Sequence, residues 1–151
     1  MRVERELVLP ETPERVWAFL TDWERQASWM LDVDDVAILT PKREGVGVRL
    51  GARTRVFGIP AFTDLLEVTE WSPPRRLRVE HRRLVHGSGV WSLDPTPDGT
   101  RFTWTEEVSL PLPVIGELML AAYRPIQRWL MGRAMSGFRD YVVASGPGRE
   151  S

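Results

Sequence analysis

Three ionisable side chains of this sequence lie within apolar stretches, where buried polar groups could do chemistry. His81 lies in a strand-like run at 75–85, and Glu106 lies in another at 100–109. Arg133 falls in the apolar stripe of a long helix-like segment. An imidazole, a carboxylate and a guanidinium enclosed together can move protons or bind the polar part of a ligand. These three residues are therefore the first candidates for an internal site.

The alternation of the two runs predicts that both polar side chains point inward, because apolar residues share their faces. Those apolar residues are Leu77, Val79, Phe102 and Trp104. A strand at 90–93 should lie between the two runs and place His81 and Glu106 about 10 Å apart. We therefore expect at most a contact through water between them. The alternative is that a bulge near Gly87 turns His81 outward.

Arg133 lies near the centre of a predicted helical stripe that would face the sheet. The stripe consists of Ile115, Met119, Ala122, Ile126, Trp129, Leu130, Gly137 and Tyr141. A buried guanidinium needs compensation, so Arg133 pairs with an internal carboxylate, contacts an anionic or carbonyl ligand, or extends to the surface. Glu106 is the best-placed carboxylate for the first alternative. Pro125 should kink or divide this helix.

Apolar periodicity predicts the elements that would bring these side chains together. Seven strands are predicted, at 2–9, 31–39, 45–57, 61–71, 75–85, 90–93 and 100–109. Thr12 is a good N-cap residue and Pro13 suits the first helical position, so a short helix should follow. Asp22 could begin a second short helix that ends near Trp29. The last element is a long helix over 114–144.

The order of these elements, with four local patterns, resembles the START-like (SRPBCC) superfamily, in particular its polyketide cyclase/dehydrase and lipid-transport branch. The patterns are LPxxPxxVWxFLxD at 9–22, WSPPRRL at 71–77, GxWSLxP at 89–95 and GTRFTW at 99–104. The resemblance covers about residues 2–144. It implies an α+β helix-grip fold, in which a curved antiparallel sheet of six or seven strands wraps around the C-terminal helix. It also implies a hydrophobic cavity between them.

A cavity is expected on physical grounds as well, because a straight helix cannot fill a strongly curved sheet everywhere. The residues predicted to line it are His81, Trp91, Phe102, Trp104, Glu106, Met119, Ala122, Ile126, Trp129 and Arg133. The leading hypothesis is a protein that binds a hydrophobic or aromatic small molecule, such as a lipid or a polyketide-like compound. The alternative is a polyketide cyclase/aromatase-type enzyme acting on a poly-keto chain in the same cavity, for which no catalytic residue can be assigned.

The composition argues against several other classes of function. The 151 residues carry a net charge of −1, and the basic face of Arg49, Arg53 and Arg55 lacks interleaved aromatics, so no nucleic-acid partner is expected. No apolar run is long enough for stable membrane insertion. Two histidines and no cysteine disfavour a metal site, and no cofactor is expected. We expect a cytoplasmic protein with one domain at 1–146 and a flexible tail at 147–151; the oligomeric state is not predicted.

Overall fold

A seven-stranded antiparallel sheet curls around one long helix in the computed structural model, which describes residues 1–145. The strands are β1 (Arg2–Leu9), β2 (Val33–Ile38), β3 (Arg49–Val56), β4 (Ile59–Ser72), β5 (Arg76–Arg82), β6 (His86–Thr96) and β7 (Gly99–Ser109). Their order across the sheet is β1-β7-β6-β5-β4-β3-β2. The predicted α+β helix-grip fold is confirmed. The predicted tail at 147–151 and the last residue of the predicted domain lie outside the described residues.

The helices follow the predicted order. Helix α1 spans Pro13–Leu20, a 3₁₀ helix spans Trp23–Ser28, and helix α2 spans Ile115–Ala144. Thr12 caps α1, because its hydroxyl oxygen accepts a hydrogen bond from the backbone N–H of Arg15. The second short helix is thus a 3₁₀ helix. Pro125 lies within α2 without dividing it.

The second half of α2 anchors the helix to the sheet. All but one of the buried residues of α2 lie in this half. Phe138 is fully buried, with its ring centroid 4.9 Å from that of Trp29 and 5.7 Å from that of Phe102. In the first half only Gly116 is buried. The helix is therefore packed tightly at its C-terminal end and stands away from the sheet near its beginning.

The register of α2 differs from the prediction by one residue. The inward side of the helix carries Gly116, Leu120, Tyr123, Gln127, Met131, Ala134, Phe138 and Val142, each one position after Arg133 or a member of the predicted stripe. One residue corresponds to a rotation of about 100°. The prediction was wrong because several of the most apolar side chains of this helix, including Ile115, Leu118 and Trp129, are more than half exposed. The inward side also includes small and polar-tipped residues, which apolar periodicity does not detect.

Helix α2 also covers one edge of the sheet. Strand β1 is an edge strand, so one side of its backbone has no strand partner. Arg124 donates a hydrogen bond to the carbonyl of Arg2, and Arg128 donates one to the carbonyl of Glu4. These two arginines therefore bond to the free edge of the sheet.

Several strand boundaries differ from the prediction, and two of these differences involve glycines. Strand β3 begins at Arg49 rather than at 45, because Gly45 and Gly47 both have positive φ and form a loop. Strand β6 begins at His86 rather than at 90, so Gly87 and Gly89 pair within the ladder instead of ending it. The strand between β5 and β7 therefore carries two positions without side chains.

If the aromatic anchor holds α2 in place, Phe138→Ala should lower the free energy of unfolding by about 3–5 kcal/mol, through lost burial and a residual cavity. Val143→Ala is the matched control on the same helix, since Val143 is 55% exposed; it should change stability by less than about 0.5 kcal/mol. Urea unfolding followed by tryptophan fluorescence measures both. Equal effects of the two substitutions would contradict this assignment of the anchor.

Candidate functional site

A cavity of about 790 Å³ lies between the concave face of the sheet and one side of α2, from Met119 to Ala134. Its walls are mainly apolar side chains of the sheet and of α2. They include Val36, Leu50, Ala52, Leu66, Val79, Trp91, Trp104, Leu120, Leu130 and Met131. The volume falls within the range of about 300–1,000 Å³ that is typical of ligand pockets. Because most buried side chains of α2 lie towards its C-terminal end, the space beside the rest of the helix is not filled.

The cavity opens between the tip of the β3–β4 hairpin, the β5–β6 turn and α2. Phe57 and Gly58 form the two-residue hairpin turn with positive φ at both positions. The Phe57 ring packs edge-on against Tyr123 of α2, with the centroids 5.5 Å apart. Phe57, Leu84 and Met119 are all more than half exposed and all line the cavity. This opening, which we call the mouth, therefore has an apolar rim.

A chain of hydrogen-bonded polar side chains interrupts the apolar wall. His81 Nδ1 lies 2.6 Å from Asp64 Oδ2, and His81 Nε2 lies 3.3 Å from Glu106 Oε2. Trp104 donates its indole N–H to Glu106 Oε1 over 2.9 Å. An ionised carboxylate only accepts hydrogen bonds, so a ring with a carboxylate at each nitrogen donates from both. This arrangement favours the imidazolium form of His81.

The charge balance at His81 supports that form. Burial by itself would lower the pKa of His81, but the hydrogen bonds and negative charges of Asp64 and Glu106 outweigh it and raise the pKa to about 10. The side chains of the three residues are only 10–13% exposed. The cluster is thus one cation between two anions, held in a partly dehydrated wall.

The direct approach of His81 to Glu106 corrects the prediction of a contact through water at most. Glu106 pairs across the ladder with Gly89, and His81 pairs with Gly87. Because these glycines occupy the strand between them, no side chain separates the imidazole from the carboxylate. A Cβ atom at position 89 would lie 2.7 Å from Glu106 Oε1. The curvature of the sheet further brings side chains on its concave face together.

Two carboxylates of the site were missed by sequence analysis. Asp64 lies on β4 on the same face as Leu66, so the alternation that identified Glu106 could have identified it. Asp32 lies in the loop before β2, where no periodicity marks it, and also lines the cavity. Burial and the charge of Glu106 raise the pKa of Asp32. Burial and the charge of Asp32 likewise raise the pKa of Tyr123.

Of the ten residues predicted to line the cavity, the structure places six at its wall. These are His81, Trp91, Trp104, Glu106, Met119 and Ala122. Phe102 is fully buried in the core, against Trp91 and Phe138, rather than at the cavity. Ile126 and Trp129 lie outside the lining residues, and Trp129 is 57% exposed. The rotated helix register accounts for both, because Gln127 and Leu130 take the inward positions.

Arg133 does not pair with Glu106 in the described part of the chain. It is exposed, and its guanidinium carbon lies 6.0 Å from the centroid of the Trp129 ring. Ala134 occupies the inward position that the predicted stripe gave to Arg133. Of the three alternatives for Arg133, the structure shows the one in which the charge extends to the surface. Glu106 uses His81 and Trp104 as its partners instead.

Residues 1–145 show neither a candidate metal-binding cluster nor a helix that could span a membrane. No group of three or more histidine or acidic side chains is arranged to hold a metal ion within that range. None of the helices described is both long and apolar enough to cross a membrane. What the described residues do present is an apolar cavity with an acidic, imidazole-containing wall.

The charge state of His81 can be tested directly by NMR. We expect its ring nitrogens to stay doubly protonated at about pH 8, where a free imidazole is neutral. Because the folded-state pKa of about 10 exceeds the ordinary value of 6.5, the imidazolium should stabilise the fold fully below pH 6.5, and that contribution should be lost as the pH rises through 10. Exposed His86 supplies the second imidazole signal in the same spectrum. A neutral His81 ring at pH 8 would contradict the ion cluster.

The space left by the missing side chain of Gly89 predicts an effect of substitution on stability. Gly89→Ala should destabilise the protein by about 1–3 kcal/mol through overpacking, because the new methyl group displaces the Glu106 carboxylate. Gly51→Ala, on β3 of the same sheet, is the control, since a Cβ there meets neighbours at an ordinary 3.6 Å or more. Chemical unfolding measures both. A Gly89→Ala protein as stable as Gly51→Ala would show that the space beside Glu106 is not required.

Comparison with solved structures places the fold among known ones. TTHA0849 from Thermus thermophilus aligns with a TM-score of 0.82 at 22% identity, over 97% of this chain and 99% of that one. The di-domain ARO/CYC StfQ from the steffimycin biosynthetic pathway aligns with a TM-score of 0.67 at 17% identity, over 91% of this chain and 48% of that one. Ara h 8.0201 aligns with a TM-score of 0.66 at 12% identity, over 95% of this chain and 98% of that one.

These identities are low, so the structural likenesses establish the fold alone. Among curated proteins, none matched the sequence. The family model described as polyketide cyclase / dehydrase and lipid transport, in contrast, matches residues 1–143, nearly the whole chain. The family resemblance noted in the sequence is confirmed. The chain therefore belongs to the polyketide cyclase / dehydrase and lipid transport family.

Proposed function

We propose that this protein binds a hydrophobic or aromatic small molecule, such as a lipid or a polyketide-like compound, in the cavity between the sheet and α2. The observation that carries the proposal is the cavity of about 790 Å³ itself, with its mainly apolar wall. Transferring an apolar ligand from water into such a space is favourable by roughly 25 cal/mol per Å² of apolar surface buried. Family membership supports the same interpretation.

The wall also contains features suited to a flat or elongated ligand. Trp91 and Trp104 pair directly across β6 and β7 and both line the cavity, with their ring centroids 6.2 Å apart. Tryptophan offers a large apolar face to stack against. Met119 and Met131, also in the lining, can adjust to an irregular ligand because their side chains are unbranched and flexible. These residues form a wall that accommodates different apolar shapes.

The second candidate function is a cyclase-type enzyme acting on a poly-keto chain. The specific observation in its favour is the Asp64–His81–Glu106 cluster at the cavity wall, which contains acid and base groups. Cyclisation of a poly-keto chain also needs donors that stabilise a developing enolate or alkoxide. Both N–H groups of His81 already bond to carboxylates, so they are poorly available for that task. The geometry therefore supports binding better than catalysis.

Binding can be tested by closing the mouth. Wild-type protein should increase the fluorescence of the neutral dye Nile red, and Ala122→Trp should weaken that binding by filling the opening. Ala121→Trp is the matched control, because Ala121 is also exposed on α2 but does not line the cavity. Dye titration monitors both variants, and circular dichroism checks their folding.

The result that would overturn the proposal is absence of dye binding to the folded wild-type protein, or equal binding by both variants. Native mass spectrometry of freshly purified protein is the complementary measurement. A retained mass adduct would identify the chemical class of the natural ligand and distinguish a bound lipid from a cyclised aromatic product.

A further inference from the structure

We propose that the natural ligand carries a hydrogen-bond-donating head group, most favourably a protonated amine, that docks on the carboxylates of Asp32, Asp64 and Glu106. We call these three residues the acidic pole of the cavity. This inference rests on the proposed binding function and names the class of ligand. It predicts that an apolar tail with an amine head binds in preference to the same tail with a carboxylate head.

The first argument is the balance of donors and acceptors at the pole. The indole N–H of Trp104 and both ring nitrogens of His81 already contact carboxylate oxygens. Asp64 Oδ1 is buried and has no hydrogen-bond partner among residues 1–145. Asp64 as a whole is only 7% exposed and lines the cavity. A buried acceptor without a partner is costly, so the complementary ligand must supply hydrogens rather than lone pairs.

The second argument is charge. Asp32, Asp64 and Glu106 all line the cavity, and His81 is the cation bonded to two of them. The other cationic groups that line the cavity, among residues 1–145, are bonded elsewhere. Arg55 bonds to Asp34 and to the carbonyl of Gly58, and the N-terminal amine bonds to the carbonyl of Val108. The pole therefore carries excess negative charge. A carboxylate head would be repelled there, whereas an ammonium would complete the pairing.

The third argument is the electrostatic coupling within the pole. Burial, and to a smaller extent the charge of Glu106, raises the pKa of Asp32. The Glu106 contribution means that the two carboxylates repel each other, and a cationic head group beside them would relieve that repulsion. Asp32 is not bonded to His81, so it lies outside the Asp64–His81–Glu106 hydrogen-bond chain. It is also the residue whose charge can be removed with the least disturbance to the cluster.

The test uses three probes that share one dodecyl tail: dodecylamine, dodecanol and laurate. Each is kept below its micelle concentration, and isothermal titration calorimetry at neutral pH measures the dissociation constants. We expect dodecylamine to bind about tenfold or more tightly than laurate, because the amine gains charge-assisted hydrogen bonds at the pole where laurate meets repulsion. Dodecanol, which donates one hydrogen without charge, should bind with intermediate affinity.

Variants assign the preference to the pole. Asp32→Asn should reduce the amine-to-laurate affinity ratio by about threefold or more, as expected for the loss of one nearby charge. Asp35→Asn is the matched control, because it removes the same charge three residues away, where Asp35 pairs with exposed Arg53 outside the cavity. Glu106→Gln is a second pole variant with the same expected direction. Circular dichroism confirms that each variant is folded.

The outcomes separate this inference from the proposed function. If all three probes bind equally, or laurate binds most tightly, the amine-head inference is overturned while the apolar cavity remains a binding site. If the amine preference persists in both Asp32→Asn and Glu106→Gln, it arises elsewhere on the protein and the pole is rejected. If none of the three probes and no Nile red binds to the folded wild type, the binding function itself fails.

Discussion

The packing of buried α2 side chains, nearly all of them in its second half, is the constraint on which the rest of the structure depends. Phe138, with Trp29 and Phe102, fixes the helix where the core is solid. A straight helix cannot follow a concave sheet along its whole length, and the space left between them is the cavity. The tight aromatic contact and the open cavity therefore both result from the position of α2 on the sheet. The stability of the aromatic contact allows the protein to tolerate the cavity.

Strand β6 shows a similar balance between strand stability and the geometry of the cavity wall. Gly87 and Gly89 weaken β6 as a strand, since glycine loses more conformational freedom on folding than other residues. They also let His81 and Glu106, two strands apart, meet directly. The cluster with Asp64 joins three strands through polar side chains, and truncating one member of such a pair leaves a stranded charge. Because each member of the cluster compensates the others, the three polar side chains are held together as an interruption of the apolar wall.

Fold and ligand are separable questions for this architecture. The chain shares its fold with TTHA0849, with the ARO/CYC di-domain StfQ and with Ara h 8.0201, at identities of only 12–22%. Many different sequences can form a helix gripped by a curled sheet with a cavity between them, so the backbone alone does not specify the ligand. The side chains that interrupt the apolar wall do. In this chain they are carboxylates and one imidazole, and our proposal is that they select a ligand that donates hydrogen bonds.

Local patterns in the sequence determined the elements and the sheet faces, because strand alternation and helix capping depend on near neighbours. They predicted the Thr12 cap and the inward face of β5 and β7 that carries His81 and Glu106, whereas the family resemblance implied the α+β architecture. The tertiary structure decided the rotation of α2, and with it the exposure of Arg133, since helix register depends on which side chains the sheet can accept. It also brought Asp32 and Asp64 to the cavity wall. Those contacts join residues distant in sequence, and only the closing of the sheet creates them.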